Sequence, residues 1–429
     1  MKDQIKQLLS DFYKNELPKI INRDLEVDLE SGQIVSILGS RRSGKTYFLY
    51  QIIQEILHKG VLKEQIVFIN FEDERLVDID VKNLDEILQG YLELYPNQDL
   101  SEVYFFFDEI QNVDKWEMFV RRIHETISKN VYVTGSNSRF LTTEIATNLR
   151  GRTLSYEIFP LSFSEFLKFK GFSFDHSTKS NALVNNYLSE YFEFGGFPDV
   201  VKNQNQSTKI QILQSYFDSM IFNDLVQRYD IKNVKALQFF IKQLIASHTK
   251  EFSVNKIYNT LKSMGLGISK DLTYDYLEYC QNIYLGSVLF KYDLSQKARE
   301  INDKKFYTID NGLYNSLIFK TDLDLGKQLE HLVFSHFFKK TKEIFFYKDS
   351  TSECDFLIFN RGNLSEIIQV CTNLNDLDTR NREINGLLKA CMFFGKKSGK
   401  IITLNTKETI EIDGITVEII PILKFLSVI

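Results

Sequence analysis

Four residues at fixed spacing, Gly39-x4-Gly44-Lys45-Thr46 within "ILGSRRSGKTYFLYQ", are the types that hold a triphosphate. Backbone N–H groups of such a glycine loop and of the helix that follows it point at phosphate oxygens. The lysine reaches the β- and γ-phosphates, and the threonine hydroxyl is a ligand for Mg²⁺. Gly39, Ser40, Arg41, Arg42, Ser43, Gly44, Lys45, Thr46 and Tyr47 are therefore the expected nucleotide contacts. A second pair of acids completes the chemistry. Asp108-Glu109 closes the apolar run Val103 to Phe107. Asp108 is expected to hold Mg²⁺, directly or through water, and Glu109 to polarise the attacking water as general base.

These residues need a scaffold, and the sequence supplies one. "GQIVSIL" reads as a short strand entering the loop, and "KTYFLYQIIQEILHKG" as a helix leaving it. Strand, glycine loop and helix form the context that the motif requires. "VYFFF" is a continuous apolar run, as in a parallel strand buried on both faces. Acids at its carboxyl end fall where ligands bind in open α/β sheets. Two further strands, "QIVFIN" and "NVYVTG", place Glu72 and Asp73, and then Thr134, Ser136 and Asn137, at the same edge. Any of these polar residues could sense a γ-phosphate or be an ordinary strand-end turn.

The totals are those of a globular chain. There are 429 residues, 43% hydrophobic and 25% charged, with a net charge of −5. That balance excludes a chain-wide basic surface but not a local patch. Cys280, Cys354, Cys371 and Cys391 show no paired spacing, and the six histidines add no metal-ligand signature. Scattered cysteines fit a reducing compartment, and a cytoplasmic protein is expected. The N-terminal stretch "MKDQIKQLLSDFYKNELPKII" is interrupted by charge and lacks the pattern of a signal peptide. No apolar run approaches ~18 residues, so no membrane span is expected.

Six segments now fall in a recognisable order: "GSRRSGKT", "INFEDERL", "FFDEIQNVDKWEMFVRRIHE", "VTGSNSRFL", "IATNLRGRTLSYEIFPLSFSEFLKFKG" and "YFEFGGFPDVV". Together they resemble the predicted archaeal-type ATPases of the AAA+ superfamily. The resemblance implies an α/β P-loop domain in which one strand separates the loop strand from the strand of the acids. It implies ATP rather than GTP, with Mg²⁺. It matches Asn137 or Ser136 to a sensor position and offers Arg150 and Arg152, in "LRGR", as phosphate-sensing arginines. The alternative for the arginines is a basic helix end. An arginine of this kind can act from a neighbouring subunit, so oligomerisation is an open expectation.

Three modules are expected: a P-loop ATPase domain over 1–160, a helical lid and winged helix over 161–320, and a nuclease-like domain over 321–429. In the middle module "FSVNKIYNTLKSMGLGISKDLTYDYLEYC" reads as helix, turn, helix, and two strands follow. Its second helix offers Lys270 against Asp271, Asp275 and Glu278, a face that repels phosphate. Lys291, Lys297, Arg299, Lys304 and Lys305 make the wing more basic. Packing against protein is the expectation, with nucleic acid as the alternative.

The last module resembles the restriction-endonuclease-like core of the PD-(D/E)XK superfamily. That core uses a strand acid and then acid-x-Lys on the next strand. Glu330 and Asp355 match, but Gln369-Val370-Cys371 stands where acid-x-Lys belongs. Glu330, Asp355 and Gln369 would be a vestigial Mg²⁺ site, and Lys389 would have to reach in from a helix. A degenerate fold kept for binding is expected, without hydrolysis. The overall expectation is an ATPase acting on a protein partner or nucleic acid. A slow nucleotide-dependent switch and an ATP-dependent nuclease are the alternatives.

Overall fold

The computed structural model describes residues 1–136, 149, 151–318 and 324–428. Two compact units make up the chain, Met1–Phe159 with Asn282–Tyr284, and Pro160–Gln281 with Leu285–Ile429. Among the described residues no helix is long and apolar enough to cross a membrane.

The first unit runs α1 (Lys2–Lys14), β1 (Ile34–Gly39), α2 (Lys45–His58), β2 (Ile66–Asn70), α3 (Asp85–Leu94), β3 (Tyr104–Asp108), α4 (Trp116–Thr126), β4 (Val131–Gly135) and β5 (Thr153–Ile158). Its five strands are all parallel, in the order β2-β3-β4-β1-β5. The inner strands are near-continuous apolar runs because helices cover both faces. Phe105, Phe106 and Phe107 are fully buried, and each contributes roughly 1.5–3 kcal/mol of burial. The Phe106 ring stacks on Tyr132 of β4 at 4.5 Å. Register pairs Asn70 with Asp108, and Ile37 with Thr134. The carboxyl ends of β1, β3 and β4 therefore share one edge, with the glycine loop and the acids on it. This is a P-loop AAA+ fold, with β4 between the loop strand and the acid strand.

The second unit opens with helices α5 (Phe163–Phe169), α6 (Thr178–Phe194), α7 (Pro198–Lys202), α8 (Gln206–Ser219) and α9 (Val234–Ala246). Next come β6 (Glu251–Phe252), α10 (Val254–Ser263), α11 (Lys270–Asn282), β7 (Gly286–Lys291), α12 (Gln296–Ile301), β8 (Lys304–Thr308) and α13 (Asn311–Leu317). The chain then runs α14 (Leu325–Phe338), β9 (Ile344–Lys348), β10 (Glu353–Asn360), β11 (Asn363–Val370), α15 (Leu377–Phe393), β12 (Ser398–Thr403), β13 (Glu408–Ile412), β14 (Ile415–Pro421) and α16 (Ile422–Phe425). Asp310 fixes the "FGGFP" turn after α6. The Gly196 N–H donates to Asp310 Oδ2 at 2.7 Å, and a Cβ on Gly195 would overlap that carboxylate at 1.8 Å.

One nine-stranded mixed sheet, β13-β14-β12-β11-β10-β9-β7-β8-β6, spans this unit. Two expectations are corrected here. The break expected at 320/321 does not separate two bodies, because β7 pairs in parallel with β9 across it. The expected basic wing is also not a free hairpin. β7 and β8 lie inside the sheet, so Lys304 and Lys305 are buried rather than offered to a groove. Together, β9, β10 and β11 form an antiparallel meander, and α15 crosses over to the parallel strand β12.

Candidate nucleotide site and a second, carboxylate cleft

The turn after β1 is built from the residues that its sequence demands. A Cβ on Gly39 would sit 2.1 Å from the Ile158 carbonyl oxygen, so only glycine lets β1 and β5 end side by side. Arg42 (φ 63°) and Gly44 (φ 99°) take left-handed conformations that fold the loop back onto α2. Ser43 Oγ donates to the Ser40 carbonyl at 2.8 Å and closes the turn. Helix α2 starts at Lys45 with no side chain capping its first turn. Its leading N–H groups are left for an anion. Ser40 Oγ is buried with no hydrogen-bond partner. An uncapped helix start, an orphaned hydroxyl and a buried lysine together fit a phosphate group.

Around this loop the polar side chains interlock. Lys45 Nζ donates to the carbonyls of Gly39 (3.3 Å) and Ser40 (3.1 Å) and pairs with Glu109 Oε1 at 3.0 Å. Thr46 Oγ1 donates to Asp108 Oδ2 at 2.7 Å, and Thr134 Oγ1 donates to Asp108 Oδ1 at 2.6 Å. Thr134 Oγ1 in turn accepts the Glu109 N–H at 2.7 Å. Glu109 itself has φ 51°, an uncommon value for a side-chain-bearing residue. That turn brings its carboxylate back over Lys45. Gln111 Nε2 donates to Glu109 Oε2, and lies 3.4 Å from Ser136 Oγ. Thr46 and Asp108 are thus the pair that would hold Mg²⁺.

The two acids are tuned apart. Burial, then the neighbouring Glu109 charge, pushes Asp108 up to about 6, against the hydrogen bonds from Thr134 and Thr46. Burial also works to raise Glu109, but Lys45, Gln111 and Arg41 outweigh it and hold the carboxyl below its usual range. The Glu109 carboxyl is therefore ionised at neutral pH.

The remaining expected site residues make other contacts. Arg41 pairs with Glu72 at 3.0 Å. Asp73 accepts from the Arg75 N–H and guanidinium. Tyr47 is half exposed on the first turn of α2. Arg152 is not assembled with the loop. Its carbonyl accepts the Ile34 N–H at the amino end of β1, and its guanidinium pairs with Glu125 at 3.0 Å. Five residue steps separate Ile34 from Gly39, which is about 17 Å of strand. Asn137 and Arg150 lie outside the described residues.

Sequence reading missed Arg23. Its guanidinium donates to the Ser43 carbonyl (2.9 Å) and the Phe159 carbonyl (2.7 Å), tying the loop to the end of β5. Gln51 of α2 holds the Arg23 backbone from both sides, at 2.8 and 3.2 Å. No local motif marks Arg23.

The second unit holds a cleft of about 830 Å³. Glu330, Asp355 and Gln369 all line it, so the structure brings these three together. Gln369 does not present its carbonyl as a ligand, because Oε1 accepts the Asp355 N–H at 3.1 Å. Its Nε2 donates to Glu383 of α15. Lys305 of β8 lies among the carboxylates of this cleft. Lys305 Nζ lies 3.3 Å from Glu330 Oε1, 2.7 Å from Glu353 Oε1 and 3.3 Å from Asp355 Oδ1. Tyr307 donates to Glu330 Oε1 at 2.6 Å. Lys389, the lysine expected to reach in, lies at the rim, bonded to Thr351 Oγ1 at 2.5 Å. Burial, then the adjacent acids, lifts Asp355 to about 7 against the pull of Lys305.

The parallel sheet, the glycine loop and the Asp108-Glu109 pair define a P-loop AAA+ domain. A family model described as an AAA domain matches residues 31–167. A second, described as a domain of unknown function (DUF8612), matches residues 185–325. Uncharacterized protein MJ1544 of Methanocaldococcus jannaschii is 40% identical over 420 residues, covering 95% of this chain and 91% of that protein. The chain belongs to the family of that protein. An uncharacterized protein of Haemophilus influenzae is 31% identical over 384 residues, covering 89% of this chain and 91% of its own length. Among solved structures, that of Cdc6p from Pyrobaculum aerophilum aligns with 73% of this chain and 89% of its own. It does so at 12% identity and a TM-score of 0.27, a likeness that carries no functional argument.

Proposed function

We propose that the protein binds ATP with Mg²⁺ and hydrolyses it, and that turnover drives remodelling or binding of a partner in the cytoplasm. The observation that carries this reading is the interlocked set Lys45–Glu109, Thr46–Asp108 and Thr134 at the uncapped start of α2. The loop N–H groups and Lys45 would bind the β- and γ-phosphates. Mg²⁺, held by Thr46 and Asp108, would neutralise charge building on the phosphate oxygens. Glu109, once Lys45 turns to the phosphate, would take the proton of the attacking water. Thr134 holds both acids at fixed separation, since one hydroxyl touches Asp108 and the Glu109 backbone.

A slow switch is the second reading, and the doubly held Glu109 favours it. With Lys45 on one carboxylate oxygen and Gln111 on the other, the base must be released before it can act. The test is turnover of ATP by the wild type with and without lysate fractions of protein, DNA or RNA. A remodeller is stimulated by its target, whereas a switch stays slow in every fraction. Absence of Mg-ATP binding by calorimetry would overturn both readings.

A further inference from the structure

We propose that Arg41, in the glycine loop itself, is the arginine that contacts the γ-phosphate during hydrolysis, and that Glu72 holds its guanidinium until a triphosphate takes it over. The inference rests on the ATPase reading and adds to it a catalytic residue and a latch. Arg150 and Arg152 are the arginines that sequence offers for this role. Arg152 is committed to Glu125 near the amino end of β1, about 17 Å of strand from the loop. Arg150 lies outside the described residues. Arg23 reaches the loop, but its guanidinium donates to the Ser43 and Phe159 carbonyls and holds backbone.

The sheet places the Arg41 side chain. Arg41 follows the end of β1 and Glu72 follows the end of β2, yet Arg41 Nη1 donates to Glu72 Oε1 at 3.0 Å. Strands β3 and β4 stand between them, so the strand ends are three spacings apart, about 14 Å. Bridging that gap takes both side chains, and the guanidinium stands above the ends of β4 and β3. Thr134, Asp108 and Glu109 stand at those same ends. Electrostatics give the same position independently. Against burial, Lys45 and Gln111 hold the Glu109 carboxyl down, and Arg41 adds to them. The arginine therefore shares the space over Glu109 with Lys45, where the terminal phosphate of a bound triphosphate would lie.

Two loop cations thus face two acids, Lys45 with Glu109 and Arg41 with Glu72, each at 3.0 Å. The two pairs differ in strength. Lys45 and Glu109 are buried, whereas the side chains of Arg41 and Glu72 are 27% and 46% exposed. An ion pair this open to water is weak, so a phosphoryl group displaces Glu72 readily. The planar guanidinium fork suits phosphate oxygens better than a point charge does. The Glu72 backbone stays in place through the exchange, since its N–H donates to Asn70 Oδ1 at 2.9 Å. Only the Glu72 side chain has to let go. A tether between the loop and β2 accounts for the ion pair, but not for its course across the ends of β3 and β4.

In the reaction the water oxygen bonds to the γ-phosphorus while the bond to the β–γ bridging oxygen breaks. ADP leaves with that oxygen, and the water proton goes to Glu109 and then to solvent. Arg41 stays a cation throughout and faces the charge that spreads over the γ-phosphoryl oxygens. ADP has no γ-phosphate, so its loss returns the guanidinium to Glu72.

The test follows single turnovers of Mg-ATP by the full chain, with calorimetry of ATP and of ADP alongside. Arg41→Ala should slow turnover about 10³-fold. It should weaken Mg-ATP binding at least ~10-fold and leave ADP within about threefold. Free guanidinium ion should restore part of the lost rate to Arg41→Ala, and Arg41→Lys, which keeps the charge but not the fork, should fall between. Glu72→Gln opens the latch, so Mg-ATP should bind up to about fivefold more tightly and turnover should not slow. The rate per chain should stay constant on dilution, because the arginine belongs to the same chain. Melting curves verify that each variant is folded. Wild-type turnover in Arg41→Ala overturns the proposal, as does an equal loss of ATP and ADP affinity, which marks a tether. A rate per chain that falls on dilution assigns the arginine to a neighbouring copy and overturns it too. Loss of ~100-fold in Glu72→Gln identifies Glu72 as the base and overturns the latch. Wild type that neither binds nor turns over Mg-ATP overturns the ATPase reading and this inference with it, whereas turnover indifferent to Arg41 overturns this inference alone.

Discussion

Replacing Thr134 by valine tests the nucleotide site at its keystone, because the change removes one hydroxyl and little volume. That oxygen donates to Asp108 Oδ1 at 2.6 Å and accepts the Glu109 N–H at 2.7 Å, in a position 1% exposed. A hydrogen bond to a charged group contributes about 1.5–3 kcal/mol, and a buried N–H left without a partner costs about 1–3 kcal/mol. The sum runs from about 2.5 to 6 kcal/mol. Asp108 can relieve part of its share by taking up a proton, since its carboxyl already stands near 6 and loses a bond that held it down. A net loss of about 3 kcal/mol follows. For a unit of this size, that lowers the melting temperature by roughly 6–12 °C. Calorimetry of the full chain reads the transition of the first unit separately from that of the second, since a two-unit chain need not melt in one step. Mg-ATP should also bind more weakly in the variant, while ATP with chelator binds nearly as before, because Lys45 and the loop are untouched. A melting point within 1 °C of wild type, with unchanged Mg²⁺ dependence, would refute the idea that Thr134 holds the two acids.

Glu109→Gln keeps Mg-ATP binding but turns over at least ~100-fold more slowly in single-turnover quench; wild-type turnover would place the base elsewhere, with Glu72 next. Lys45→Ala abolishes ATP binding by calorimetry while the melting curve survives, and unchanged affinity would remove the loop from the site. Asp108 sets a pH dependence. Its folded carboxyl is raised from 3.8 to about 6, so the folded chain holds this proton longer than the unfolded one does. Stability from this group is full below about pH 4 and is lost as pH rises to 6, by up to about 3 kcal/mol. Asp108→Asn should flatten that slope in nucleotide-free urea titrations, and an unchanged slope would show that the carboxyl is not responsible. Gly386→Ala drives a methyl into the Glu353 carbonyl and should destabilise the second unit by about 1–3 kcal/mol; a neutral effect would mean that α15 does not press on β10.

Legibility in the sequence followed the range of the interactions. The first unit was readable because its chemistry is local: Gly39 to Thr46 lie within one turn of chain, and Asp108-Glu109 ends its own strand. The apolar runs of β1 to β4 need helices on both faces, and that alone implies the parallel sheet. Arg23 and Gln111 were not readable. Each acts through a carbonyl or a carboxylate brought up by the fold, and neither has spacing to betray it.

The second unit shows why a strand motif can mislead. Basic residues on two predicted wing strands look like a surface for nucleic acid only if the hairpin is free. Once β7 pairs with β9, the edge is gone, and a lysine at 305 must either find carboxylates or not be there. It finds three, from α14 and from β10, at 2.7–3.3 Å. In the same way, Gln369 reads as a lost acid when β11 is considered alone. Beside α15 it is the residue that holds an acid in place. A motif written along one strand records which element carried a charge, whereas the chemistry depends only on where that charge ends up. Position 371 therefore says little about the cleft, and the contacts of Lys305 and Glu383 say more.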